Sequence, residues 1–110
     1  MSDAAYIEQA AGWARELTQA ESSGPGDIPN AWDRLERKYG IPARAFWALR
    51  YRKPKELSVS LWFRLKLAYE AECERQMRKL RHDIEITKAI AGPDHAAVAA
   101  AQALVDQDLE

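Results

Sequence analysis

The chain has a single cysteine, Cys73, so no disulfide can close within it, and no Cys/His spacing suits zinc. Three valines and two threonines stand against an abundance of Ala, Leu, Glu, Arg and Lys, which argues against sheets and predicts helices. No apolar run approaches the about 20 residues that cross a bilayer. The start, MSDAAYIEQAAGWARELTQA, carries acids where a signal peptide needs a basic region. A soluble protein of a reducing cytoplasm is the expectation. Glycine-rich phosphate loops, nucleophile motifs and paired catalytic acids are all missing, so neither an enzyme nor a cofactor is expected. His82 and His95 lack a ligand partner at helical spacing and are expected to face solvent, and Cys73 reads as a small packed apolar residue. ECE and HDIE offer carboxylates, but among arginines on a helix they describe a solvated face. There is no internal repeat.

What is present is enough for one domain. Its 110 residues, 47% apolar and 30% charged, predict a folded all-α chain of about five helices. The expected layout is a helical core over about 28–71, then an extension of the long helix and a C-terminal helix over about 72–110. Net charge is only −1, but it is unevenly placed. Residues 1–33 carry −5. Residues 34–55 carry +7, from Arg34, Arg37, Lys38, Arg44, Arg50, Arg52, Lys53 and Lys55 against Glu36, and residues 56–110 carry −3.

Periodicity places the helices. Tyr6, Ala10, Trp13, Leu17 and Ala20 recur at steps of four and three, one stripe of a helix from Ser2 to about Ala20. ESSGPGD, residues 21–27, is loop chemistry. Asp27 can cap the next helix, with Pro29 in its first turn, and Ile28, Trp32, Leu35 and Tyr39 form its apolar side. Gly40 suits the left-handed residue beyond a helix end, Ile41 is held extended by the following proline, and Pro42 opens a helix to about Tyr51. That helix sets Phe46 and Leu49 on one face. From near Ser58 a single helix of eight or nine turns runs toward Gly92, with Leu61, Leu65 and Ala68 on one stripe. Its second half carries a seam, Cys73, Met77, Leu80, Ile84, Thr87 and Ala91, spaced as in a coiled coil. The seam suits a homodimer or packing on the first helix. Asp94 can cap a last helix, roughly His95 to Asp106, with Val98, Ala101 and Leu104 or Val105 as its apolar side.

About the turn, Leu35 lies five residues before Gly40, Tyr39 and Ile41 flank it, and Phe46 and Leu49 follow at six and nine. These offsets, in LERKYGIPARAFWALRYRKPKEL with LWFRLKLAYEA after it, resemble the lambda-repressor-like helix-turn-helix family, including the xenobiotic-response-element type regulators of bacteria and phages. The resemblance covers roughly residues 30–71. Glu36 stands where that family usually has a small residue, and Pro42 where it has Ser or Thr. The resemblance implies a DNA-recognition helix.

The charge pattern points the same way. A helix fits the major groove of B-DNA, with its first turn at base edges and cations near phosphates. The residues expected at double-stranded DNA are Lys38, Ala43, Arg44, Trp47, Ala48, Arg50, Tyr51, Arg52, Lys53 and Lys55, with Arg44 placed for a base. Trp47, beside Phe46, reads first as buried against the first helix or a partner, and second as a groove contact. Function is expected to be sequence-specific DNA binding by a small bacterial or phage transcriptional regulator, dimeric through Cys73, Met77, Leu80, Ile84 and Thr87. Two other readings stand beside it: a helical protein–protein adaptor, and the DNA-recognition subunit of a phage packaging or recombination machine.

Overall fold

A computed structural model describes residues 3–91 and 96–109, and among these every regular element is helical, so the fold is all-α. The elements are α1 (Asp3–Glu21), a 3-10 turn (Pro25–Asp27), α2 (Ile28–Tyr39), α3 (Ala43–Tyr51), α4 (Val59–Ala91) and α5 (Ala96–Leu109). The chain forms two compact units, residues 1–72 and 73–110. α4, 33 residues long, supplies residues to both. Asp94 and His95, expected as a cap and a solvent-facing side chain, lie outside the described residues.

In the first unit α1 is part of the core. Its buried apolar residues are Ile7, Ala10, Ala14 and Leu17, so the stripe expected through Tyr6, Trp13 and Ala20 is rotated by about one residue. The reason is size. Alanines at 10 and 14 permit close approach of α1 to the helices beneath, while Tyr6 and Trp13 turn to a ring cluster on α4, Tyr6 and Trp13 each meeting Trp62 and Trp13 also stacking on Tyr69. From α2 come Ala31, Trp32 and Leu35, from α3 Phe46 and Leu49, from α4 Leu65 and Ala68, and from the turn Ile41, which is fully buried. Burying a side chain of this size stabilises by about 1.5–3 kcal/mol. The Trp32 indole is also tied by hydrogen bonds: Nε1 donates to Thr18 Oγ1 at 3.0 Å, and that hydroxyl donates to the Ala14 carbonyl at 2.7 Å.

Two caps differ from expectation. Asp27 does not cap α2 through its side chain. Its Oδ2 instead accepts from the Ser23 N–H, the Ser23 hydroxyl and Arg34 Nη2, the last at 2.7 Å. Arg34 also donates to the Glu21 carboxylate and backbone carbonyl, so it is an internal tie between α1 and α2. Pro42 is the residue just ahead of α3, with φ −59° and ψ 140°, and the helix opens at Ala43.

The second unit is small. Ile84 of α4 packs with Val98 and Val105 of α5, and Met77, Leu80 and Ala101 lie against them. Met77, Leu80 and Ile84 of the seam thus pack on α5 within the second unit. Val105 takes the buried place and Leu104 is exposed. Cys73 is exposed, not packed, because the α4–α5 contact begins a turn later, at Met77. Thr87, half-buried, donates its hydroxyl to the Asp83 carbonyl at 2.8 Å.

Candidate nucleic-acid interface

Local chemistry fixes the angle between α2 and α3. α2 ends because Gly40 adopts φ 69° and ψ 23°, the left-handed region, and its N–H bonds the Glu36 carbonyl at 2.8 Å. The chain then runs extended through Ile41 and Pro42 before α3 begins. Glu36 explains why neither Ser nor Thr is needed there. Its Oε1 reaches across the turn and accepts the Ala43 N–H at 3.3 Å, placing a negative charge at the start of α3. Arg64 of α4 donates to the Gly40 carbonyl at 3.0 Å, securing the turn from the other side.

With Phe46 and Leu49 buried, the opposite side of α3 faces solvent. Trp47 is 47% exposed and Tyr51 61% exposed, Arg44 and Arg50 are exposed, and Ala43 and Ala48 are half-buried. The reading of Trp47 as buried against the first helix is thus corrected. The ring that stacks on Phe46 is Trp32, at 6.4 Å and nearly parallel, and Trp47 lies one residue further around the helix. Trp47 and Tyr51 pair at 5.8 Å, and the Arg50 guanidinium sits 5.5 Å over the Tyr51 ring while its Nε donates to the Tyr51 hydroxyl. The result is an aromatic ridge with cations along it.

A groove flanks each side of this ridge. One, of about 450 Å³, lies between α1 and α3 and is lined by Glu8, Arg15, Arg50, Tyr51 and Lys53 among others. The other, of about 480 Å³, lies between α3 and the start of α4, with Arg44, Glu56, Ser58, Ser60 and Arg64 among its lining residues. Arg15 and Arg64 were not among the expected site residues. Arg15 is the lone cation of α1 and Arg64 lies beyond the basic segment 34–55, and only the tertiary fold brings each beside α3.

The expected cations divide into two groups. Lys53 Nζ is 2.6 Å from Glu8 Oε1, and Lys38 Nζ is 2.8 Å from Glu21 Oε2. Among the described residues Arg37, Arg44, Arg52 and Lys55 are exposed and no acid pairs with them. Around Arg34 the carboxylates respond to their partners. Burial pushes the Glu21 carboxyl up, but the hydrogen bonds from Lys38 and Arg34 outweigh it and the net shift is downward. Asp27, held by Arg34 and by Ser23, is lowered to about 2.

No group of His, Cys, Asp and Glu among the described residues could hold a metal ion, and His82 is exposed. None of the described helices is long and apolar enough to cross a membrane. Scans against family models, curated proteins and solved structures each find no match to this chain.

Proposed function

We propose that the protein binds double-stranded DNA in a sequence-specific manner, as a small transcriptional regulator, by inserting α3 into the major groove. The observation that carries this reading is the solvent side of α3: Arg44, Trp47 and Tyr51 stand on a ridge between two grooves lined by cations. A helix in the major groove has one phosphate backbone on each side of it, which is the arrangement matched by a ridge between two grooves that each hold more cations than acids. Arg44, in the first turn, is placed to reach a base edge, for instance bidentate to guanine. Trp47 and Tyr51 offer apolar surface of the kind that meets a thymine methyl. Arg50, Arg52 and Lys55, with Arg37 at the end of α2, serve the phosphates, and Lys38 and Lys53 serve them once released from Glu21 and Glu8. The offsets about Gly40 that resemble the lambda-repressor-like family support the same assignment.

Four phosphate contacts give a slope of about −3.6 in log affinity against log salt, a loss of about a hundredfold between 50 and 200 mM. Selection of bound sequences from random duplex, followed by titration at those two salt concentrations, tests the proposal. Arg44→Ala should lose about 1–3 kcal/mol of discrimination at one base pair, whereas Arg52→Ala should bind all sequences more weakly with a slope shallower by about 0.9. Wild-type protein that binds no duplex at 50 mM salt sinks the reading.

A further inference from the structure

Next to the groove between α3 and α4, with which it shares Glu56 and Leu57, the first unit has a further hollow. A cleft of about 660 Å³ is lined by Tyr6, Ile7, Leu57, Val59, Trp62 and Phe63, with Glu56 at its edge. On its rim Val59 is 71% exposed and Phe63 48% exposed, two large apolar side chains one turn apart on α4. The walls are braced by ring contacts, Tyr6 edge-on to Trp62 at 6.0 Å and Phe63 edge-on to Trp62 at 5.1 Å. An apolar hollow beside apolar knobs on one face is a self-complementary shape, which is what a two-fold interface requires.

The charges on this face identify the occupant. Glu56, Val59, Phe63 and Lys66 follow one another at steps of three, four and three. Glu56 lies in the segment ahead of α4, at one end of the Val59–Phe63 patch, and Lys66 on α4 at the other, so the order acid, apolar, apolar, cation becomes its complement when reversed. Two copies laid antiparallel about an axis level with Leu61 bring Glu56 of each onto Lys66 of the other, and Val59 onto Phe63. Among the described residues neither Glu56 nor Lys66 has an ion pair; the Lys66 ammonium rests 5.6 Å over the Trp62 ring, on the same face. The formal charge of −1 leaves little long-range repulsion between copies.

We propose that this face is a homodimer interface, in which a second copy of the chain docks α4 against α4 through Val59 and Phe63, with Glu56 and Lys66 fixing the antiparallel register. It replaces the seam as the dimer contact, and it does not depend on DNA.

Sedimentation equilibrium of the full chain without DNA is the test. Wild type should self-associate in the micromolar range, and Phe63→Glu should be monomeric with an unchanged circular dichroism spectrum and a melt lowered only by the loss of its ring contact with Trp62, since the residue is half-exposed. Glu56→Lys and Lys66→Glu should each weaken dimerisation about tenfold or more, because like charges then face each other at both ends of the contact. An equimolar mixture of those two variants should recover wild-type affinity, since the cation introduced at position 56 in one chain meets the acid introduced at position 66 in the other. Only a contact between chains gives that recovery. Wild type that stays monomeric throughout the micromolar range overturns the proposal and leaves the cleft to an apolar segment of another protein; so do charge variants that dimerise like wild type, or a mixture no tighter than its components. DNA binding by a monomeric wild type would overturn this proposal and leave the DNA reading intact.

Discussion

Glu8→Gln should strengthen DNA binding, although Glu8 lies on α1 and not on α3. The change removes the acid that holds Lys53 Nζ at 2.6 Å and leaves an uncharged side chain of the same shape. In the wild type a phosphate that recruits Lys53 must first displace Glu8. The side chains of Lys53 and Glu8 are 48% and 64% exposed, so the pair itself contributes only about 0–1 kcal/mol to folding, and the variant's melting curve should match the wild type's. For binding the effect is larger. One added phosphate contact steepens the salt slope by about 0.9, which at 0.1 M salt, one decade below 1 M, corresponds to an affinity gain of about eightfold. Fluorescence titration against one duplex at several salt concentrations reads both numbers. Arg52→Ala supplies the opposite control, a shallower slope, because no acid competes for Arg52. Identical slopes for Glu8→Gln and wild type would mean that Lys53 does not reach a phosphate, and the groove between α1 and α3 would lose its assignment. Glu21, the partner of Lys38, is a poorer choice for this test because it also holds Arg34.

Other expectations follow from the same contacts. Gly40→Ala should cost about 1–2 kcal/mol, read as a lower melting temperature: nothing lies within 4 Å of an added Cβ, so the whole loss comes from φ 69°, and Asn at that position should recover part of it. Thr18→Val leaves the buried Trp32 Nε1 without its acceptor and should cost about 1–3 kcal/mol in urea unfolding; a double variant with Trp32→Phe should cost less than the two single losses combined. Stability should also fall in acid. Asp27 is lowered from its ordinary 3.8 to about 2 and Glu21 is lowered from 4.5, so both are more acidic folded than unfolded. Their contribution is complete above those ordinary values and is lost as pH falls from about 4 toward about 2. Urea midpoints across that range should drop, and Asp27→Asn should flatten the drop.

The parts of the fold that were legible in the sequence are those decided within a few residues. Leu35, Gly40, Ile41, Phe46 and Leu49 took the expected places because a helix period and one left-handed glycine suffice to set them. α1 was misread by one residue because ring size and burial are different properties. Tyr6 and Trp13 are the larger apolar side chains, yet Ala10 and Ala14 occupy the innermost positions, since a helix packs closest through its smallest residues. The tryptophans posed a similar problem. Nothing in the composition says that Trp32 and not Trp47 stacks on Phe46, and that choice is what leaves Trp47 available on the candidate DNA face. Charge was legible as a sum but not as pairs: Lys38 and Lys53 meet acids 17 and 45 residues away, so with Arg34 three of the eight cations of the cluster are internally neutralised. Asp27 was misassigned for the same reason, since Arg34, seven residues on, competes for its carboxylate.

The α4 seam shows why a heptad pattern states that a helix has a partner without naming it. Ile84 buries itself with Val98 and Val105, and the alanine-rich α5 can approach closely because so little projects from it. A dimer through the same seam would first have to remove α5, exposing three buried side chains worth about 1.5–3 kcal/mol each, about 5–9 kcal/mol in all, in each copy. Docking at the Val59–Phe63 face disturbs no intramolecular contact of that kind. The two arrangements therefore separate in one variant. Leu80→Glu places a charge against the α4–α5 core, and it should lower helicity and the melting temperature while leaving the association constant in sedimentation at its wild-type value. Conversion to monomer with an unchanged melt would assign the seam to the dimer and refute the packing argument, because a side chain committed to α5 cannot be charged without cost to the fold that α5 completes.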